Sequence, residues 1–261
     1  MDLDIEGNAA LVTASSAGLG YASAEALAAD GADVAICGRT PERLQRAEER
    51  LAAAGDGDVL AVEADVTDPD EVAALVETTA AEFGGLDHLV TSAGDPASGP
   101  FLETDDRDWI EAYEILVMSV VWATRAAYPH LADGDGGSIV TIGSLSAREV
   151  LDGAALSNAV RRPVVGLVKT LAREFAPAVR VNAVLPGPHE TESLSGLIDE
   201  GVERGQYDSY EDGLDAWASD VPLDRIADPR ETGDVVAFLS SPRASFVNGA
   251  AVPIDGGATR S

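Results

Sequence analysis

Short apolar runs of strand length recur along the chain, and between them lie longer stretches in which apolar positions return at helical spacing. The runs predict strands at residues 9–13, 33–37, 59–63, 88–91, 138–142, 180–184 and 251–254. Most of these runs are apolar throughout, as in strands covered on both faces. Thr40-Pro41 opens an Arg- and Glu-rich helix, and Thr67-Asp68-Pro69 opens the next. Strands alternating with helices read as repeated βαβ units, whose right-handed crossovers carry helices to both faces of a sheet. The expectation is an α/β fold: one Rossmann-type, doubly wound sheet of seven parallel strands, in a single domain over residues 1–261. The departure is a strandless insertion at about residues 190–221, carrying Tyr207, Tyr210 and Trp217 among many acids. Placed after a strand's carboxyl end, it reads either as a substrate lid or as a solvated helical excursion with its aromatics packed beneath.

The first strand runs straight into Thr13-Ala14-Ser15-Ser16-Ala17-Gly18-Leu19-Gly20 and then into a helix. Glycines at such a turn let the backbone approach a pyrophosphate, which the N–H groups of the helix start then bind. Thr13, Ser15, Ser16, Gly18, Leu19 and Gly20 are therefore candidate dinucleotide-binding positions. Ala14 stands where many such loops have their first glycine, so the turn must tolerate a Cβ there. The second strand ends Ile36-Cys37-Gly38-Arg39, with no acid to accept from a ribose hydroxyl and with Arg39 placed to meet a 2′-phosphate. That favours NADP(H) over NAD(H), unless Arg39 only begins a basic helix face with Arg43 and Arg46. Asp65 and Val66 can meet an adenine edge, although Asp65 can equally cap the next helix. After the fourth strand, Ser92-Ala93-Gly94 brings bare backbone to the same side, adding Ala93 and Gly94 as cofactor candidates.

Charge changes the picture of partners. With 46 acidic against 17 basic residues and a formal charge of −29, the surface should repel nucleic acid. Such an excess resembles proteins of halophilic cells, where molar salt shortens screening to about 3 Å. Lys169 is the only lysine, which a coding bias toward arginine explains equally well. The amino terminus lacks a basic start before an apolar run, and no stretch approaches the roughly 20 apolar residues of a spanning helix. A cytoplasmic protein with no membrane partner is expected. Cys37 is the only cysteine, so intrachain disulfides and cysteine-rich metal sites are excluded, and no metal is expected.

Together the residues resemble the short-chain dehydrogenase/reductase family over essentially the whole chain. The matching pieces are the 13–20 turn, Asp65-Val66, Ser92-Ala93-Gly94, Ser144, Pro186-Gly187 with Thr191, and Asp255-Gly256-Gly257. The resemblance implies an NADP(H)-dependent oxidoreductase acting on a carbonyl or alcohol, of the oxoacyl reductase type, assembled as a homotetramer or homodimer. It places Pro186, Gly187 and Thr191 near the nicotinamide and makes Asn182 a structural strand residue. Family members carry a serine, a tyrosine thirteen residues later and a lysine four beyond that; here the count from Ser144 gives Ser157 and Arg161. A fourth family position, an asparagine, aligns with Leu116.

In the family the tyrosine exchanges a proton with the substrate oxygen, and the lysine lowers its pKa and holds the ribose. Ser157 is a far weaker acid than a phenol, and Arg161 can hold ribose hydroxyls but does not give up its proton. Candidates for the proton are therefore His189, whose ordinary pKa lies near neutrality, or a water ordered by Ser144 and Ser157, with Arg148 acting electrostatically. The candidate catalytic set is Ser144, Ser157, Arg161 and His189. The alternative is an inactive dinucleotide-binding sensor or assembly subunit; a non-redox dehydration or decarboxylation is a third reading. The stretch Leu156-Ser157-Asn158-Ala159-Val160-Arg161 is similar to one in divergent oxoacyl reductases of the family, which points to a shared variant.

Overall fold

The computed structural model describes residues 2–134 and 136–260. Seven strands form one wholly parallel sheet in the order β3-β2-β1-β4-β5-β6-β7. They are β1 (Ala9–Val12), β2 (Asp33–Gly38), β3 (Val59–Glu63), β4 (His88–Thr91), β5 (Gly137–Ile142), β6 (Val179–Pro186) and β7 (Ala251–Ile254). The expected sheet and strand count are thus observed, with ends displaced by a residue or two. β6 is the largest change, running on to Pro186 because Pro186 still pairs with Ile254.

The chain winds outward from β1 to β3, then returns to place β4 on the other side of β1. Neighbouring strands β1 and β4 therefore send their connections in opposite directions, and a crevice opens above their carboxyl ends. Helices α1 (Gly18–Ala29), α2 (Pro41–Leu51) and α10 (Pro229–Ser240) cover one face. Against them lie Ala10, Val12, Val34, Ile36, Val90 and Val184. The alternate strand residues Leu11, Ala35, Cys37, Leu89, Ile139 and Val181 point the other way, into α3 (Pro69–Phe83), α5 (Ser119–Asp133) and α7 (Arg162–Glu174). Full burial of each Val, Leu or Ile contributes about 1.5–3 kcal/mol, which is what holds the strand ends in fixed register.

Between α4 (Asp106–Tyr113) and α5 the helix widens to π geometry at Glu114–Met118, which turns Leu116 into the core. The strandless insertion folds as α8 (Glu192–Glu203) and α9 (Tyr210–Ser219). Tyr207 wedges between them: a Cβ on Gly201 would lie 2.6 Å from its ring, and one on Gly213 3.1 Å. Ser195 and Tyr210 join the two helices by a 2.9 Å hydroxyl contact. Among the described residues no helix is long and apolar enough to cross a membrane.

Candidate active site

The crevice above β1 and β4 is a cleft of about 480 Å³. Its phosphate end is the 13–20 turn. The Thr13 hydroxyl donates to the Ser92 carbonyl at 2.7 Å and accepts from the Ser92 N–H at 2.9 Å, clasping the two loops together. Ser15 Oγ donates to Val12 O at 2.6 Å and accepts from Cys37 N at 3.2 Å. Both hydroxyls are buried, so they build the turn and leave its outer surface to the backbone. Ala14 takes a left-handed φ of 46°, with its N–H 3.2 Å from Cys37 Sγ. Burial pushes that thiol up to about 11, so it stays protonated. A Cβ on Gly20 would lie 2.7 Å from the Ala14 carbonyl oxygen, which is why glycine stands there. The helix that follows has no side-chain cap at Ala17, and Gly18, Leu19 and Gly20 line the cleft. Its first N–H groups and the positive end of its dipole are thereby offered to an anion.

Beside the turn, a Cβ on Gly38 would be 3.0 Å from Ser16 Oγ, so bare backbone lets Ser16 settle at the end of β2. Arg39 is 72% exposed and sits 3.7 Å from the Asp65 carboxylate. Burial works to raise Asp65, but hydrogen bonds from Thr67 and the Arg39 guanidinium outweigh it and hold the carboxyl below its usual range. Val66 is buried beside it. Ala93 and Gly94 form the opposite lip.

The other end of the cleft is made of side chains. Ser144, just past β5, accepts the Ser146 N–H at 3.2 Å. Ser157, on α6 (Ala155–Val160), lies 2.9 Å from Ser146 Oγ and accepts from Arg161 Nε at 3.1 Å. Arg161 also donates from Nη1 to Gly143 O at 3.2 Å and from Nη2 to Asp95 Oδ1 at 2.8 Å. Its side chain is only 11% exposed; burial pushes its pKa below the ordinary value and Asp95 works against that shift. The second Asp95 oxygen accepts from Ser193 on α8. A polar chain therefore runs from Ser146 through Ser157, Arg161 and Asp95 to Ser193. Leu145, Leu151, Leu194, Leu197 and Trp217 supply the apolar wall facing it.

His189 lies elsewhere in this chemistry than expected. It is buried, with Nδ1 2.9 Å from Gly187 O and Nε2 2.9 Å from Thr232 Oγ1. Those partners fit a neutral ring whose Nδ1–H donates to the carbonyl and whose Nε2 accepts from the hydroxyl. Burial lowers its pKa below the usual value. The expectation that His189 supplies the proton is corrected on this ground: no N–H is left to reach the cleft. Arg148 is also turned away, its Nη2 donating to Ala251 O at 2.9 Å.

A family profile described as "Enoyl-(Acyl carrier protein) reductase" matches residues 13–259. The 3-oxoacyl-[acyl-carrier-protein] reductase FabG of Vibrio cholerae is 32% identical over 256 residues, 98% of each chain. The chain belongs to the short-chain dehydrogenase/reductase family. A second relative, the cis-4-hydroxycyclohexanecarboxylate dehydrogenase of Sinomonas cyclohexanicum, is 36% identical over 253 residues, 96% of each chain. Among solved structures, the L-sorbose reductase of Gluconobacter frateurii complexed with NADPH and L-sorbose superposes with a TM-score of 0.94, at 32% identity and 100% coverage of both chains.

Within this short-chain dehydrogenase/reductase framework, Pro186, Gly187 and Thr191 line the cleft. Thr191 caps α8, and its methyl would be 3.9 Å from a Cβ on Gly18, so α8 begins directly over the turn. Asn182 donates to Val247 O at 2.9 Å and accepts from Ala250 N at 3.0 Å, tying β6 to the approach of β7. Asp95, Ser146 and Ser193 escaped the sequence reading, and Arg43 was read only as part of a basic helix face, whereas its Nη1 is 3.0 Å from Glu192 Oε2 across the cleft mouth. Asp95 had a readable signal, an acid directly after a strand-end glycine. The other three become neighbours of the site only through packing.

Proposed function

We propose that this short-chain dehydrogenase/reductase is an NADP(H)-dependent oxidoreductase that interconverts an alcohol and a carbonyl compound. The observation that carries the reading is a single cleft joining the uncapped start of α1 to the buried Arg161 chain. A dinucleotide needs both: bare N–H groups for its phosphates, and fixed polar groups for its far ribose. Gly18, Leu19 and Gly20 fit the first need, with Arg39, the residue after the Gly38 that ends β2, for a 2′-phosphate. Of the five N–H bonds of Arg161, three are spent on Ser157, Gly143 and Asp95, which leaves two for ribose hydroxyls. When bound, the cofactor supplies the hydride acceptor or donor.

The chain's own residues then orient the substrate. The hydroxyls of Ser144 and Ser157 hold its oxygen. The Leu145, Leu151 and Trp217 wall takes an apolar body and excludes water, with α8 and α9 acting as a lid. Relatives named for an oxoacyl group, for L-sorbose and for a hydroxycyclohexanecarboxylate support a small alcohol or ketone substrate. The same framework supports a homodimer or homotetramer as the working assembly, and the acidic surface supports work in molar salt.

The test is a fluorescence titration with NADPH and NADH in concentrated salt, followed by turnover on a panel of alcohols, ketones and β-oxoacyl thioesters. NADPH is expected to bind at least about tenfold tighter, because a charge-assisted contact is worth about 1.5–3 kcal/mol. Arg39→Ala should erase that preference while leaving NADH unchanged. Equal binding of both cofactors by the unaltered protein would overturn the NADP(H) assignment. Tight NADPH binding with no turnover on any substrate would replace the enzyme by a dinucleotide sensor or assembly subunit.

A further inference from the structure

We propose that Asp95 is the group that takes the proton from the substrate hydroxyl when an alcohol is oxidised. The inference rests on the oxidoreductase reading above and goes beyond it by naming the proton acceptor.

Five titratable side chains line the cleft: Arg43, Asp95, Arg161, His189 and Glu192. The two arginines do not release a proton near neutrality. His189 spends both ring nitrogens on Gly187 and Thr232. Glu192 is held by Arg43 at 3.0 Å at the phosphate end, over the glycine turn. Asp95 alone is both titratable and placed at the reacting end, one residue past Gly94, where the cleft floor meets the buried Arg161 chain.

Its surroundings suit the role. One carboxylate oxygen is fixed by Arg161 Nη2 at 2.8 Å, and the other accepts from Ser193. Each oxygen keeps a further lone pair, so the carboxylate can accept from a substrate hydroxyl while it stays anchored. The Asp95 side chain is 57% exposed, so a proton taken from the substrate can pass on to water. Arg161 sets the direction of the next hydroxyl as well. Because its Nε–H donates to Ser157 Oγ, the Ser157 proton points away from Arg161, toward Ser146 or the substrate oxygen. Ser157 thus orients the substrate without having to ionise.

In the step itself the substrate O–H bond breaks and its proton goes to Asp95, directly or through the Ser193 hydroxyl. The oxygen's electron pair then forms the C=O bond, the bound nicotinamide would supply the two-electron acceptor for the carbon's hydride, and Asp95 returns the proton to solvent.

The test uses the full-length protein in concentrated salt, with whichever panel alcohol the unaltered protein oxidises fastest. Asp95→Asn should lower kcat for oxidation at least about 100-fold, the scale of a lost general base, while the NADPH Kd moves less than about threefold. Asp95→Glu should recover part of the rate. Sodium formate added to Asp95→Ala should restore turnover in proportion to its concentration, which a purely structural role would not do. Turnover by Asp95→Asn within about threefold of the unaltered rate overturns the proposal, as does loss of NADPH binding in step with kcat, or no response to formate. Failure of the underlying reading looks different: the unaltered protein itself would bind NADPH and turn over none of the panel, which would remove the proton role with it.

Discussion

The two ends of the cleft are built from different material. The phosphate end is backbone: an uncapped helix start, a left-handed Ala14 and glycines at 18 and 20, with the Thr13 and Ser15 hydroxyls turned inward to hold the loop. The reacting end is side chain: Ser157, Arg161 and Asp95 brought from α6, the end of α6 and the end of β4. A backbone site depends on what is missing at each position, so it tolerates few residues and changes slowly in kind. A side-chain site can keep its scaffold while its side chains are exchanged.

That contrast is open to attack at three points, taken from the largest expected effect. Gly20→Val should raise the NADPH Kd by about 100-fold or more. Its Cβ would lie 2.7 Å from a backbone carbonyl that cannot rotate away, and overpacking of this kind costs about 1–3 kcal/mol before any phosphate contact is lost. Titration with near-unaltered affinity would show that the phosphate end is not set by backbone approach.

His189→Gln comes second. At pH 8 it should cost about 1–3 kcal/mol of stability, because buried partners at Gly187 and Thr232 lose a fitted ring. Turnover should stay within about twofold. The folded pKa of His189 is lowered, so the unfolded chain takes up the proton first as pH falls below about 6.5, and the histidine's contribution is lost there. The gap between the two proteins, read by chemical denaturation, should therefore be widest above that pH and close below it. A collapse of turnover with NADPH binding intact would extend the reacting end to this loop.

The smallest effect is Ala14→Gly. A left-handed L-residue costs about 1–2 kcal/mol, and glycine gives back roughly 0.5–1 kcal/mol through the unfolded chain. A gain of up to about 1 kcal/mol in unfolding free energy, read by chemical denaturation, is expected, with NADPH affinity unchanged. Destabilisation would mean that the Ala14 methyl, packed against the core under the turn, contributes more than its strain removes.

How much of the molecule was legible follows the same division. The sheet could be read because Val12, Val34, Ile36, Val90 and Val184 sit in runs that suit only strands covered on both faces. The phosphate end could be read because glycines between a strand and a helix start serve little besides close approach of the backbone. The reacting end could be read only in part. Ser144, Ser157 and Arg161 were found by counting, but their partners Asp95 and Ser193 are 66 and 98 residues from the groups they touch, Arg161 and Asp95 respectively. His189 was read as a proton source for the same reason: its ring looks free in the sequence until Thr232, 43 residues on, is known to lie against it. In the insertion, Tyr207 is packed between helices while Trp217 lines the cleft, a difference that the shared aromatic character of the two residues did not reveal.

The Arg43–Glu192 bridge across the cleft mouth has a bearing on pace. A dinucleotide seated on the turn would lie under the start of α8, its leaving would require that span to part, and in many enzymes such an opening limits the cycle. Both partners are more than half exposed, at 51% and 73%, so mobile ions compete with them effectively. Brine would then act as a throttle: raising salt loosens the clasp and quickens exchange of spent for fresh dinucleotide, while dilution holds it in place.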